Sequence, residues 1–302
     1  MIKIIKIEED YNIRLDKYLK NIYSTLTQSF IEKNIRKKNI LINDAKTSSQ
    51  YIIKKNDNLK ICNFSEDKYK NKIIFKKNVN IPNYIFQLFK KSIVFQNLDF
   101  IILNKWALIA TQGGSKINFS IDDIINKVSP EDKLVHRLDR ETSGLLIIAK
   151  HTKSARFFGN LFKKKFIEKI YIAICEGRPK MNESNVELDI KNKMNKIENT
   201  KTYYRVMSYQ NGISCILYKP LTGKTHQLRI VSKNLGCPII GDYKYNHQSN
   251  FKKEILKLNA HSLKFTFDDK NYEFFSELPE DFVSFTKKYK LKLSFIKNYS
   301  KF

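Results

Sequence analysis

Apolar residues along this chain follow two periods, and the changes of period divide it into parts. Lys3, Ile5 and Ile7 alternate as in a short strand. Leu15, Tyr18, Leu19 and Ile22 then fall at i, i+3, i+4 and i+7, the spacing of one helix face. Thr25 to Lys38 predicts a second helix capped near Thr27, with Phe30, Ile31 and Ile35 inward and Lys33, Arg36, Lys37 and Lys38 outward. Ile40 to Ile42 reads as a strand, Asn43-Asp44 as a turn, and Ile52-Ile53 with Leu59 to Ile61 completes a small sheet. This gives a first domain over 1–64. Residues 65–91 are charge-rich and predict a linker with a short helix at Tyr84 to Lys91. A second domain, 92–302, opens on a hairpin formed by Ile93 to Phe95 and Phe100 to Leu103. Helices are expected near 119–127 and 152–165, a strand over Phe166 to Glu176, alternating strands from Lys201 to Leu217, and a helix from Gly223 to Leu235.

Composition narrows the classes. Hydrophobic residues make up 42% of 302, enough to build cores, so a disordered chain is excluded. The formal net charge of +26 favours a polyanionic partner, although a lysine-rich genomic bias would raise it too. Only eight of the 56 basic residues are arginines, and five of those (Arg14, Arg36, Arg137, Arg140 and Arg229) fall in the motifs below. Where composition drives Arg toward Lys, the arginines that remain mark positions needing a planar, bidentate guanidinium. The four cysteines are widely spaced, with no Cys-x-x-Cys pair and no His/Cys cluster, so neither a zinc site nor a disulfide framework is expected. The N-terminus is too charged for a signal peptide, and no run of about 18 apolar residues suggests a membrane span. No glycine-rich phosphate loop is present. A cytoplasmic monomer without metal or cofactor is the expectation.

Chemistry concentrates in Leu134-Val-His-Arg-Leu-Asp-Arg-Glu-Thr-Ser-Gly-Leu-Leu-Ile-Ile-Ala-Lys150. Asp139 stands between Arg137 and Arg140, ahead of a Thr142-Ser143-Gly144 turn and an aliphatic run that reads as a buried strand. An acid on a loop feeding a rigid strand is well placed for precise chemistry. Taken alone, Asp139 reads as readily as half of a surface ion pair with either arginine. The whole run resembles the signature of the pseudouridine synthase family that contains the bacterial ribosomal large-subunit enzymes, in which His-Arg-Leu-Asp-x-x-Thr-Ser-Gly carries the catalytic aspartate.

Further segments resemble the same family in the same order. Asn104-Lys-Trp-Ala-Leu-Ile-Ala-Thr-Gln-Gly-Gly-Ser115 resembles its first motif, with Trp106 in place of the usual proline and Leu108 where glycine is common. Glu168 to Gly177 resembles the strand bearing an active-site tyrosine, here Tyr171. Lys219-Pro-Leu-Thr-Gly-Lys-Thr-His-Gln-Leu-Arg-Ile230 resembles the Thr-Gly-Arg-Thr-His-Gln-x-Arg motif, with Lys224 for the first arginine. Leu235 to Asp242 and Leu258 to Leu263 resemble the family's glycine-proline turn and penultimate strand. The first domain resembles the S4 RNA-binding module, with Arg14-Leu-Asp-Lys-Tyr-Leu as its opening helix.

The resemblance implies an α+β protein: a catalytic domain with a long mixed, mainly antiparallel, curved sheet, and a small N-terminal S4-like module. It implies isomerisation of specific uridines in large-subunit ribosomal RNA or its precursor. Asp139 would be nucleophile or base, Tyr171 the stacking ring with a hydroxyl to assist proton removal at C5, and Arg229 the cation that keeps Asp139 ionised through a bidentate contact. Arg137 would prop the RNA once the base leaves its stack. Arg14, Arg36, Lys37, Lys38 and Lys224 would contact RNA. His136 and His226 are expected to be structural. The rivals are an enzyme of the family acting on tRNA or another RNA, and a non-catalytic RNA-binding or ribosome-assembly factor.

Overall fold

The computed structural model describes residues 1–11, 13–23, 25–70, 80–113, 117–191 and 194–292. The middle of the expected linker, 71–79, and Gly114-Ser115 of the first motif lie outside the described residues. The chain forms two compact units, Met1–Asn78 and Val79–Phe302.

The first unit runs β1 (Lys3–Lys6), α1 (Leu15–Ile22), α2 (Gln28–Arg36), β2 (Ile40–Ile42), β3 (Ala45–Lys46) and β4 (Asn58–Ile61). Its sheet has the order β1-β4-β2-β3 and is antiparallel throughout. The helical spacing in α1 turns Leu15, Tyr18 and Leu19 into a core with Ile31, Ile35, Leu59 and Ile61. Thr27 caps α2 by accepting the Phe30 N–H at 3.2 Å. Asn43 and Asp44 both adopt positive φ (51° and 59°), which lets a two-residue turn join β2 to β3. The linker boundaries differ from expectation. Phe64 and Tyr69 are buried in this core and stack at 5.1 Å, so the start of the charged stretch belongs to the first unit. Two aromatic anchors outweigh the charged composition around them.

The second unit runs α3 (Asn83–Lys91), β5 (Ile93–Gln96), β6 (Phe100–Lys105), α4 (Ile121–Val128), β7 (Lys133–Leu134), β8 (Ser143–Ala149), α5 (Thr152–Lys164), β9 (Glu168–Glu176), β10 (Glu183–Lys191), β11 (Ile197–Gln210), β12 (Ile213–Pro220), α6 (Gln227–Asn234), β13 (Leu258–Phe267), β14 (Lys270–Phe275) and α7 (Glu280–Lys288). The helix expected at the end of the linker is α3, and its Ile85 and Phe89 are buried in this unit. The main sheet has the order β10-β11-β12-β9-β13-β8-β6-β5, with β14 on β13 and β7 on β8. Its pairs among the described residues are antiparallel except β8 with β13. The fold is α+β with a mixed, mainly antiparallel sheet, as the resemblance implied.

One row across this sheet aligns three of the recognised segments. Gly144 of β8 pairs with Ala260 of β13, Ala260 with Tyr171 of β9, and Tyr171 with Tyr218 of β12. The close approach at Gly144 is steric. A Cβ there would lie 2.3 Å from the Ala260 carbonyl oxygen, and the residue holds φ +107°. Gly144 therefore lets the Asp139 loop enter the sheet beside β13, two strands from Tyr171.

Candidate active site

Asp139 begins a tight turn closed by Thr142 N–H donating to its carbonyl at 3.1 Å. The loop is fastened to the first motif at three points. Thr111 Oγ1 donates to the Leu138 carbonyl at 2.7 Å and accepts the Leu138 N–H at 3.1 Å. The buried Lys105 ammonium donates to the carbonyls of Trp106 and Ile109, and at 3.4 Å to that of Arg140. Arg140 returns its Nε to the Leu108 carbonyl at 3.0 Å. Burial pushes the Lys105 amine down to about 7, against the opposing pull of the Glu141 and Asp139 charges. Leu108, where glycine is common, sits at φ +69°. The turn keeps a left-handed residue there with a side chain that L-residues accommodate at roughly 1–2 kcal/mol. The Trp106 and Leu108 departures thus leave the turn's clamp on the loop in place.

Asp139 lines a cleft of about 710 Å³ together with Arg137, His136, Lys169, Tyr171, Lys219, Lys224, His226 and Arg229. Its side chain is 19% exposed. Tyr171 faces the same cleft and packs against two core clusters. Burial, with the Asp139 charge adding to it, raises the Tyr171 phenol above its ordinary value, so the hydroxyl stays protonated.

Arg229 sits in the first turn of α6 and is 1% exposed. Its fork does not go to Asp139. Nε and Nη2 donate to the two oxygens of Asp242 at 2.8 and 2.7 Å, and the Asp242 side chain is fully buried. Nη1 has no hydrogen-bond partner among the described residues; it lies 3.8 Å from Asp139 Oδ2 and 3.6 Å from Glu141 Oε2. The expected bidentate Asp139–Arg229 contact is therefore corrected. A guanidinium this deep needs a carboxylate as deep as itself, and the partly exposed Asp139 is not one. The remaining nitrogen still brings the cation to Asp139 by charge. Tyr243 and Tyr245 stand 5.8 and 5.3 Å from the guanidinium carbon. Gly241 makes this turn possible: a Cβ there would meet the Ile255 carbonyl oxygen at 2.4 Å.

Other expected residues separate into two groups. Arg137 is exposed at the cleft. Lys224 reaches Glu198 at 3.1 Å. Arg36, Lys37 and Lys38 are exposed in the first unit, while Arg14 forks onto Asp16 at 3.1 and 2.6 Å. His136 is bonded into the sheet: Nε2 accepts the Ile147 N–H at 2.8 Å, and burial, then the Lys169 charge, pushes the ring down to about 3. His226 stands beside Asp139. Its Nε2 is 3.9 Å from Asp139 Oδ1, while Nδ1 meets the Tyr245 hydroxyl at 3.0 Å. Asp242, Glu141, Thr111 and Lys105 carry no role in the sequence reading. For Asp242 the Gly-Asp turn was in view in the sequence, but not the burial that makes it the partner of Arg229.

A family profile described as RNA pseudouridylate synthase matches residues 99–234. A ribosomal large-subunit pseudouridine synthase C of Rickettsia prowazekii is 38% identical over 260 residues, covering 81% of this chain and 86% of its own. The chain belongs to the RNA pseudouridine synthase family. A type D enzyme of Borreliella burgdorferi is 33% identical, covering 64% of this chain and 67% of its own. A solved structure of human RNA pseudouridylate synthase domain containing 4, 22% identical, shares the fold over 70% of this chain and 97% of its own at a TM-score of 0.64. The family's members are RNA-modifying isomerases, and this chain carries the family's fold and its sequence along most of its length.

Proposed function

We propose that this RNA pseudouridine synthase isomerises uridines in large-subunit ribosomal RNA, with Asp139 as its catalytic carboxylate, Tyr171 as the platform for the target base and Arg229 as the cation beside the acid. The observation that carries the site reading is the meeting, in one cleft, of Asp139, Tyr171 and the spare Nη1 of Arg229. The reaction breaks the N1–C1′ bond, turns the uracil and joins C5 to C1′. It needs a carboxylate held close to C1′ and C6 as nucleophile or base. The three-point clamp on the Asp139 loop supplies that placement. Tyr171's protonated hydroxyl suits the ring to stacking and hydrogen bonding rather than to action as a phenolate. Arg137 props the RNA around an extruded nucleotide in this reading, which its exposure at the cleft supports.

The ribosomal target is supported by the relatives named ribosomal large-subunit pseudouridine synthase C, which align along most of both chains. The first unit serves, in this reading, as an S4-like RNA-binding module. Arg36, Lys37 and Lys38, exposed at the end of α2, are its phosphate contacts, and Arg14 backs the helix through Asp16. The test is Asp139→Asn, which keeps side-chain size and removes the nucleophile or base. Tritium release from C5-labelled uridine in transcribed large-subunit RNA is expected to vanish, with filter binding kept within a few-fold. Turnover within about tenfold of wild type removes Asp139 from the mechanism.

A further inference from the structure

The lysines of the cleft differ in one respect. Lys219 pairs with Glu168 at 2.6 Å, Lys201 with Glu187 at 2.7 Å and Lys224 with Glu198 at 3.1 Å. Lys163 and Lys165 are exposed at the rim, where water solvates them. Lys169 is neither paired nor solvated in this way. It is partly buried in the cleft wall, and among the described residues no hydrogen bond or ion pair reaches its ammonium. Burial holds its amine below the ordinary lysine value. A cation that gives up water without gaining a carboxylate is costly to keep, unless an anion arrives to meet it.

Its position says which anion. Lys169 lies two residues before Tyr171 on β9, so both side chains project from one face of the strand, and both line the cleft. The ammonium lies beside Gly223 of the loop before α6, where a Cβ would be in ordinary contact with Nζ at 3.8 Å. Neighbouring Glu168 is engaged by Lys219. A nucleotide whose base stacks on Tyr171 carries its anionic charge only on its phosphodiesters, and these lie within one nucleotide's length of the base.

We propose that Lys169 is a substrate-binding residue that holds a backbone phosphodiester of the RNA next to the uridine seated on Tyr171. The proposal rests on the reading of Asp139 and Tyr171 as the reaction centre. The contact grips the extruded nucleotide by its backbone, so it acts on capture more than on the bond-breaking step.

The experiment is a cycle between protein and RNA, run as single-turnover and steady-state kinetics. The RNA is a synthetic stem-loop of large-subunit ribosomal RNA containing a uridine that the wild-type enzyme isomerises. Its phosphates flanking that uridine are replaced one at a time by uncharged methylphosphonate. Lys169→Met is expected to raise KM about tenfold or more and leave kcat within about threefold, while Lys169→Arg keeps KM within about threefold of wild type. At one flanking position the methylphosphonate costs the wild type a similar factor and costs Lys169→Met nothing further. Additive losses at every position overturn the phosphate contact. So does a fall in kcat at unchanged KM, or an arginine variant no better than the methionine one. A wild-type enzyme inactive on all large-subunit RNA refutes the ribosomal target instead, and the same cycle then decides Lys169 on whichever RNA it does isomerise.

Discussion

The guanidinium of Arg229 is held by one carboxylate and faces two others. Asp242 takes the fork and fixes the side chain in a dry pocket, which leaves Nη1 facing Asp139 and Glu141. Arg229→Lys removes the fork and leaves Asp242 without its two parallel donors. Breaking a buried pair in this way costs about 3–5 kcal/mol of stability, and the cation beside Asp139 is displaced as well. Lys224, half-exposed and paired with Glu198, faces no such demand. Lys224→Arg is therefore expected to be neutral, whereas Arg229→Lys loses at least a hundredfold in single-turnover rate and lowers the thermal midpoint. Equal losses in the two variants would refute the special role of the buried guanidinium. Both residues were legible in the sequence as members of one motif. The identity of the Arg229 partner was not, because burial decides it and burial depends on how the turn at Gly241 packs.

Secondary-structure elements here serve mainly to bring distant motif segments into one row. The Asp139 loop, β13 and β9 meet because Gly144 admits the Ala260 backbone, and the first motif then locks the loop from the other side. Thr111 makes both a donor and an acceptor bond to Leu138, immediately before Asp139. Thr111→Val keeps the shape and removes both bonds. It strands a buried backbone N–H and carbonyl, at about 1–3 kcal/mol. A drop in kcat with KM near the wild-type value is expected, since the acid loses its placement while the RNA surface is untouched. An unchanged kcat would show that the loop is held elsewhere. Periodicity predicted α1, α2, α4, α5 and β9 because each has a clear inward face. It passed over β10, although Val186, Leu188 and Ile190 alternate with polar residues along Glu183 to Lys191, the pattern of a strand with one half-buried face. It also expected α6 to begin earlier than it does. Residues 221–226 are fastened instead by the buried Gln227, which accepts from Thr222 Oγ1 and the Lys224 N–H and donates to Thr202 Oγ1.

For the molecule as a whole, buried histidines set the response to acid. His136 is held down to about 3 and His261 to about 4, in both cases chiefly by burial. Both stay neutral in the folded protein well below the unfolded value of about 6.5. The unfolded chain therefore binds more protons as pH falls below 6.5, and stability is lost in that direction until the folded values are reached. About 1–2 kcal/mol for each histidine is expected to disappear between pH 7 and 5, read as a falling thermal midpoint. His136→Gln, whose side-chain carbonyl still accepts from Ile147, should flatten the curve by about half. A midpoint that does not move over this range would show that neither ring is held neutral. The division into two units was visible in composition, but its position was not. Single aromatic side chains such as Tyr69 settle where a core ends, and no average over charged neighbours reports them.

Because the cation beside Asp139 is enclosed and those at the mouth of the cleft are wet, ionic strength acts on them differently. Counterions gather around Arg137, Lys163 and Lys165 within a Debye length of roughly 8 Å at 0.15 M. They do not reach between Arg229 and Asp242, neither of which exposes more than 1% of its side chain. On the proposed function, raising the salt weakens the hold on RNA at the mouth and leaves the Arg229–Asp242 pair unscreened. In that reading, capture and chemistry answer to separate populations of charge.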